Sequence, residues 1–178
     1  MGWEHELFAM FDDLEGQAAA LWEADREAEL ADRARSEYAA VTLASRLMAS
    51  VGAPVVLELP GVGRVEGRLV RVGDSWALVE GSSQDWIVPL HHAQVVHGAS
   101  ERSVPEVAWS PLNRLGLPSA LRRLADAGTR CLLHLLDGAR HEAYVERVGA
   151  DFLECRTSAG AQVLVPFDAI VAVQSRDD

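Results

Sequence analysis

The stretch RVGDSW (residues 71–76) decides the fold of this chain, because it recurs with nearly the same layout as RVGADF (residues 147–152). Both stretches place a glycine three residues before an aromatic side chain. Glycine next to aspartate or serine is typical of a tight turn between strands. The offset of 76 positions also brings Gly52 onto Gly128. The recurrence therefore predicts that one structural unit is present twice.

The predicted unit begins with a short helix and continues with five strands. The segments TLASRLMASVG and PSALRRLADAG end at Gly52 and Gly128, and glycine commonly adopts the left-handed conformation that closes a helix. Runs of Val, Leu and Ile, separated by glycine and polar pairs, predict the strands. They are expected at 54–59, 63–72, 75–81, 84–89 and 93–97 in the first repeat, and at 130–136, 139–148, 151–157, 161–166 and 169–174 in the second.

Small residues mark the expected turns and bends of each unit. Gly61 and Gly138 are expected to take positive φ in the first hairpin. Gly67 and Ala143 are expected where the long second strand bends. A short helix followed by five bent strands predicts a small closed or nearly closed barrel.

The expected fold class is therefore α+β, with a long N-terminal helical arm followed by two tandem five-stranded small β-barrels, each preceded by a short helix. Small barrels of this kind leave few exposed sheet edges. The predicted boundaries are a helical arm at 1–41, the first repeat at 42–98, an ordered linker at 99–117 and the second repeat at 118–176.

This layout resembles the Sm-like fold, the SH3-like small barrel with an N-terminal helix found in Sm and LSm proteins and bacterial Sm-like RNA chaperones. The whole chain also resembles an actinobacterial family loosely labelled Fis-type transcriptional regulator. A Fis-like protein places its recognition helix near the C-terminus, where this chain is mostly strand. The resemblance implies the fold of the two repeats.

The resemblance does not bring the Sm-like RNA site with it. Sm-like proteins hold RNA with Asp-x-x-x-Asn after the second strand and Arg-Gly after the fourth. Neither the asparagine nor the Arg-Gly pair occurs in the corresponding loops of this chain. Those loops are residues 73–75 and 89–92 in the first repeat, and residues 149–151 and 166–168 in the second.

The charge of the chain disfavours binding to a phosphate backbone. The net charge is -11, and all 16 basic residues are arginine. A protein that grips nucleic acid needs a concentrated positive face, which the sequence does not show. The alternative function, a nucleic-acid-associated regulator, would require folding to gather arginines from separate strands. The candidates are Arg64, Arg68, Arg71 and Arg140.

The N-terminal arm carries an apolar stripe at heptad spacing. Residues 3–50 are predicted to be helical, with a kink or break near Gly16, since glycine within a helix costs about 1 kcal/mol. The spacing of the stripe is typical of helix pairing, although its aromatic residues are bulky for a coiled coil. Either the stripe packs against the chain's own barrels, or it pairs with a partner or a second copy. The proposed contact residues are Leu7, Phe11, Leu14 and Leu21.

Two tryptophans are further candidates for partner contacts. Trp109 lies in the linker between Pro105 and Pro111, where it is expected either to anchor the linker between the barrels or to contact a partner. Trp86 aligns with Gln162 in the second repeat. A tryptophan present in only one repeat is not required by the barrel core, so we expect Trp86 to be exposed at a groove shared by the repeats.

No recognisable catalytic, cofactor or metal site is evident in the sequence. His91 and His92 are adjacent on a predicted strand and would point to opposite faces, so they are not expected to share a metal ion with His97. The two cysteines, Cys131 and Cys155, are expected to be reduced and buried. The chain contains no G-x-S-x-G or P-loop motif. We therefore expect a protein that is not an enzyme and holds no cofactor or metal.

The location and function follow from these observations. The N-terminus is acidic where a signal peptide would be basic, and no apolar run reaches the ~20 residues of a membrane helix. The sequence therefore predicts a cytoplasmic, non-enzymatic protein-interaction or scaffold module without membrane contact. The predicted partner is a protein or a second copy bound through the N-terminal arm.

Overall fold

The structure, a computed structural model, describes residues 3–175, apart from the side chains of residues 4–9 and 12. The chain divides into two compact units, Met1–Val41 and Thr42–Asp178. The first unit contains the helical arm and the second contains both repeats.

The arm is a single helix, α1, which spans Trp3–Ala39. The predicted break at Gly16 is wrong, because α1 continues through this residue. A side chain at Gly16 would meet no other group within 4 Å, so only the intrinsic cost of glycine acts there, and the surrounding Ala, Glu and Leu favour the helix.

The predicted helix over residues 3–50 is instead two helices, because a new helix begins after Thr42. Helix α2 spans Leu43–Met48. The Ser45 amide donates to Thr42 Oγ1 at 3.1 Å, and the Thr42 amide donates to Ser45 Oγ at 3.1 Å. This reciprocal cap satisfies two backbone donors at the helix start.

The remaining elements follow the predicted order. The third helix, α3, spans Leu117–Ala127. Short 3-10 helices lie at Leu90–His92, Glu106–Ala108, Pro111–Arg114 and Phe167–Ala169. The strands are β1 Pro54–Leu59, β2 Gly63–Val72, β3 Trp76–Glu80, β4 Asp85–Pro89, β5 Val95–His97, β6 Arg130–Leu135, β7 Arg140–Val148, β8 Phe152–Thr157, β9 Gln162–Pro166 and β10 Ile170–Ser175.

The ten strands form one antiparallel sheet in the order β5-β1-β2-β3-β4-β10-β6-β7-β8-β9. Each repeat contributes its strands in the same order, with its fifth strand first and its fourth strand last. Within the described residues the sheet is open, with β5 and β9 as its two outer strands. The predicted α+β class with a long N-terminal helix is confirmed.

The recurring turn has the same geometry in both repeats. The Gly73 amide donates to the Trp76 carbonyl at 2.8 Å, and the Gly149 amide donates to the Phe152 carbonyl at 2.9 Å. In each repeat the aromatic ring packs against its glycine, so that a Cβ at Gly149 would lie 2.5 Å from Phe152 Cε1. The motif therefore contains glycine because the ring occupies the space of a side chain.

The long second strand bends at a different place from the one predicted. The pairing register shifts at Val70 between β2 and β3, and at Glu146 between β7 and β8. These positions are equivalent, so both repeats carry the same bulge, and the prediction of bends at Gly67 and Ala143 is wrong. A Cβ at Gly67 would lie 2.8 Å from Val79 Cγ1, which shows that Gly67 serves a close approach of strands.

Positive φ angles occur at all four glycines where they were predicted. Gly61 has φ 68° and Gly138 has φ 82°, which confirms both hairpin predictions. Gly128 caps α3 with φ 62°, as predicted. Gly52 also has positive φ, but α2 already ends at its cap Ala49, so the predicted helix end at Gly52 is wrong.

The two repeats complete each other's hydrophobic cores. The cluster in the first repeat includes Val171 and Ala172 from β10 of the second repeat. The cluster in the second repeat includes Trp76 from β3 of the first, and Leu78 and Ile87 pack against it. Residues 42–178 therefore form one unit because each half buries apolar surface of the other.

Candidate functional site

The two repeats meet along a seam, which we define as the pairing of β4 with β10. Ile87 lies opposite Val173, and Trp86 lies opposite Gln174. Trp86 is half-buried and packs against the core of the first repeat. The prediction that Trp86 is an exposed groove residue is therefore wrong, since its ring lies within the seam.

The equivalent of Trp86 in the second repeat is Val163 rather than Gln162. Trp86 pairs with Val79, and Val163 pairs with Cys155 at the same register position. One residue is inserted between the third and fourth strands of the second repeat, which shifts the alignment from that point. A tryptophan is still present in only one repeat, as predicted.

A buried histidine, His134, contacts both residues of the Trp86–Gln174 pair at the seam. The His134 ring centroid lies 5.3 Å from that of Trp86, and His134 Nε2 lies 2.8 Å from Gln174 Oε1. The Gln174 amide in turn donates to Gln84 Oε1. Burial lowers the pKa of His134, and the charge of Arg140 lowers it further, while the hydrogen bond to Gln174 opposes the shift. His134 is therefore neutral at neutral pH.

We predict that the seam weakens in mild acid because of His134. The unfolded chain takes up a proton near the ordinary pKa of 6.5, whereas the folded chain resists protonation because its His134 pKa is lowered. The stabilising contribution is complete above pH 6.5. Below that pH it falls by up to about 1.4 kcal/mol per pH unit, until His134 also titrates in the folded chain.

Urea unfolding at a series of pH values measures this effect. His134→Gln should flatten the decline below pH 6.5, while His141→Gln, which changes an exposed histidine, should leave it as steep as in the unaltered chain. Equal slopes for the unaltered chain and His134→Gln would contradict the assignment.

The structure places His91 and His92 on one element and His97 on another. His91 and His92 lie on the 3-10 helix after β4 with ring centroids 4.0 Å apart, so the expectation that they point to opposite faces of a strand is wrong. Burial lowers the pKa of His92, as does the charge of His91, and Asp168 opposes both. His97 Nε2 lies 3.1 Å from Glu58 Oε1. Across the described residues, no three metal-ligating groups cluster together.

The proposed nucleic-acid arginines are interleaved with carboxylates. Arg64 Nε lies 3.4 Å from Glu66 Oε1, and Arg68 Nε lies 3.0 Å from Glu80 Oε2. Arg71 is exposed near the end of β2, and Arg140 is exposed at the start of β7 in the other repeat. These ion pairs reduce the net positive charge around the arginines. Binding to nucleic acid would need that charge to be concentrated on one face. That alternative stays a prediction that no structural observation favours.

Trp109, a linker residue, is buried in the core of the first repeat. It is 5% exposed and belongs to the hydrophobic cluster of the first repeat, and its indole Nε1 donates to the Val104 carbonyl at 2.8 Å. The prediction that Trp109 is exposed for a partner contact is therefore wrong. Its side chain anchors the linker on the first repeat, whereas the sequence predicted an anchor between the two repeats.

The two cysteines are poor nucleophiles at neutral pH. Cys131 and Cys155 are buried and free. Burial raises the pKa of Cys131 to about 12 and that of Cys155 to about 11. Both remain protonated at neutral pH, and a thiol is a poor nucleophile compared with a thiolate. They act as small apolar residues of the core.

The arm carries exposed apolar side chains at three of the predicted contact positions. Phe11, Leu14 and Leu21 are 50%, 51% and 67% exposed. The side chain of Leu7 lies outside the described residues. The heptad positions of the described part of the stripe thus point to solvent along one stretch of α1.

Comparison with known proteins adds no family to these observations. No protein-family model matches the chain, and no curated protein matches it. Of the helices within residues 3–175, none is both long enough and apolar enough to cross a membrane.

Proposed function

We propose that this protein is a cytoplasmic, non-enzymatic interaction scaffold, in which two tandem Sm-like small barrels carry a helical arm that binds a second copy. The observation that carries this proposal is the exposed apolar stripe of α1. Leu14 and Leu21 are each more than half exposed, although a leucine side chain gains ~1.5–3 kcal/mol when it is fully buried.

The residues beside the stripe support pairing with another helix. In the heptad defined by Phe11, Leu14, Ala18 and Leu21, the flanking positions include Met10, Gln17, Trp22 and Ala24. These four side chains carry no charge, whereas Glu15, at a further flanking position, is charged. Flanking apolar surface widens the area that a second helix can cover. Most carboxylates of the arm lie elsewhere around the helix, where they remain in water when two helices pair.

The stripe has a defined length because a charged residue interrupts it. Asp25 occupies the next heptad position after Leu21, and burial of an unpaired carboxylate in a helix seam is costly. The proposed contact therefore covers the arm from Leu7 to Leu21. In proteins, packing of an apolar face supplies most of the stability of a helix.

The equal strand order of the two repeats supports the interpretation of each repeat as a small barrel. Each repeat has five antiparallel strands in the same order, and each contains an apolar cluster that side chains of the other repeat complete. The interior is filled by side chains such as Leu57, Leu69, Leu133 and Leu153, which are fully buried. A small filled interior leaves the surface and the edges as the places for contacts.

Charge placed on the stripe tests this proposal. Leu14→Glu combined with Leu21→Glu should lower the mean molar mass measured by light scattering at equal concentration, because two added carboxylates face each other across the helix pair. Both positions are exposed, so the substitutions do not disturb a packed core. Circular dichroism of each variant verifies that α1 is retained.

Ala20→Glu is the matched control, because it adds a carboxylate to the same helix away from the stripe. This variant should keep the mean molar mass of the unaltered chain. If the unaltered chain, the control and the double variant all have the same mass, the arm does not bind a second copy and the proposal fails.

A further inference from the structure

The apolar stripe of α1 has a carboxylate at each end. The two apolar heptad positions hold five successive apolar residues from Leu7 to Leu21, and the next residues at these positions are Glu4 before the stripe and Asp25 after it. Burial of an unpaired carboxylate among apolar side chains costs free energy. The orientation of two paired arms therefore determines whether these carboxylates meet leucine or stay at the ends of the contact.

An antiparallel pair of arms would set a carboxylate against a leucine. The contact between two such helices uses two heptad positions in turn, and antiparallel helices oppose one kind to the other. Leucine occupies the first kind at residues 7, 14 and 21. The second kind is occupied by Glu4, Phe11, Ala18 and Asp25.

No antiparallel register avoids this mismatch while stripe residues meet. If Phe11 lies opposite Leu21 of the second copy, Asp25 lies opposite Leu7. A shift by one heptad removes that contact but moves Glu4 opposite Leu21. Larger shifts bring Glu4 or Asp25 onto another leucine and shorten the apolar contact. Because the two helices are identical, each mismatch occurs twice in the pair.

A parallel pair in register has no such mismatch. Equal positions face each other, so the five layers from Leu7 to Leu21 contain only apolar residues. The two Asp25 residues meet in the layer just beyond the stripe. Asp25 is exposed on the single arm, and at the end of the contact its carboxylate remains in water. This arrangement buries the whole stripe without burying a carboxylate.

The flanking residues also favour the parallel orientation. In a parallel pair, residues 10, 17 and 24 of one helix face residues 15, 22 and 29 of the other. Only Glu15 and Glu29 among these six are charged, and each faces an uncharged residue. In the antiparallel register with Phe11 opposite Leu21, Glu15 of one copy instead lies near Glu15 of the other, where like charges repel.

We propose that two copies of this chain pair through their arms in parallel and in register, with each stripe residue opposite its own counterpart. This inference rests on the proposed pairing of the arms and adds the orientation of the second copy. Such a pair has two-fold symmetry and closes at two chains. Both chains leave the helix pair at the same end, after Ala39, so both repeats of each copy follow from that end.

Disulfide formation by Asp25→Cys tests the orientation and keeps the whole stripe. In the parallel pair, residue 25 faces its counterpart. In the antiparallel register with Phe11 opposite Leu21, the two copies of residue 25 lie roughly 18 residues apart along the pair, or ~27 Å. In an oxidising glutathione buffer, the full-length variant should give a several-fold excess of covalent dimer over Ala20→Cys. Ala20 is the matched control, because it is exposed on the same helix but lies away from the stripe.

Two further measurements make the outcome decisive. A mixture of Asp25→Cys and affinity-tagged Leu7→Cys should give no more mixed dimer than a mixture of Ala20→Cys and tagged Leu7→Cys, because parallel helices hold residues 7 and 25 apart. Light scattering of each reduced variant shows whether its arms still pair. The native cysteines are buried, so the unaltered chain should give no covalent dimer.

Two results would overturn the parallel orientation. The first is an Asp25→Cys dimer yield no greater than that of Ala20→Cys, while light scattering still shows paired chains. The second is a preferred disulfide between Asp25→Cys and Leu7→Cys. Either result leaves the pairing of the arms intact, whereas a mass of one chain for the unaltered protein would remove both the pairing and its orientation.

Discussion

Gly149→Ala is expected to lower the free energy of unfolding by about 1 to 3 kcal/mol, the range for an added methyl that displaces packed neighbours. The added methyl would lie 2.5 Å from Phe152 Cε1 and 2.8 Å from Phe152 Cδ1. The ring cannot move away freely, because Phe152 begins β8 and its carbonyl accepts the Gly149 amide. Urea unfolding followed by tryptophan fluorescence measures the change.

Gly73→Ala, the same substitution in the first repeat, should cost more, about 3 kcal/mol or above. Its methyl would overlap the Trp76 indole and lie 2.8 Å from the Leu115 carbonyl. Trp76 Nε1–H donates to that carbonyl, with a nitrogen-to-oxygen distance of 2.8 Å. The variant therefore loses a hydrogen bond in addition to the strain that the methyl imposes.

Gly116→Ala is the control for both variants, because its methyl would meet only Pro118 Cδ, at 3.5 Å. Gly116→Ala should lower the free energy of unfolding much less than either of the other two substitutions. A smaller side chain in Phe152→Leu should recover part of the loss in Gly149→Ala, so the double variant should be more stable than additivity predicts. If Gly149→Ala and Gly116→Ala unfold at the same urea concentration, the explanation of the repeated motif is wrong.

Trp109→Ala is expected to cost about 3 to 5 kcal/mol, as large-to-small changes of buried tryptophan do. The side chain is 5% exposed, and its indole holds the linker through the Val104 carbonyl. Chemical unfolding should show the loss directly. Trp109→Phe should cost less, because it keeps most of the apolar contact and loses only the hydrogen bond.

Val107→Ala is the matched control in the same linker, since Val107 is 86% exposed. Its substitution should leave the unfolding midpoint nearly unchanged. A stable Trp109→Ala variant that had lost a binding partner would contradict the structural role and return Trp109 to the candidate contacts.

The local structure of the repeats could be predicted because it depends on neighbouring residues. The ten strands lie close to their expected positions, and the turns at Gly73 and Gly149 are formed as the motif indicated. Hairpin glycines and strand periodicity act over a few residues. The bulges at Val70 and Glu146 were missed because nothing in either side chain distinguishes a bulge from its neighbours.

The seam could not be predicted because edge pairing depends on contacts distant in sequence. Ile87 and Val173 are separated by most of the second repeat, and neither residue type indicates its partner. The same reason explains Trp86, which was expected at the surface because it is present in only one repeat. Its role follows from His134 and Gln174, which only the folded sheet brings beside it.

The arm was predicted as a helix but its end was not placed correctly. The heptad pattern of Phe11, Leu14 and Leu21 indicated the exposed stripe that the structure contains. The reciprocal cap of Thr42 and Ser45 was overlooked, although a Thr-x-x-Ser sequence before an apolar run resembles the start of a helix. Gly16 does not interrupt α1, since about 1 kcal/mol does not break a helix of this length.

Sedimentation equilibrium of the full-length chain is the most direct test of the central claim, that this protein acts by binding copies of itself. The calculated mass of one chain is 19.3 kDa. We expect an average mass that exceeds this value and rises with protein concentration, because the arm joins separate copies. A single species of 19.3 kDa at every concentration, up to the limit of solubility, would contradict the account.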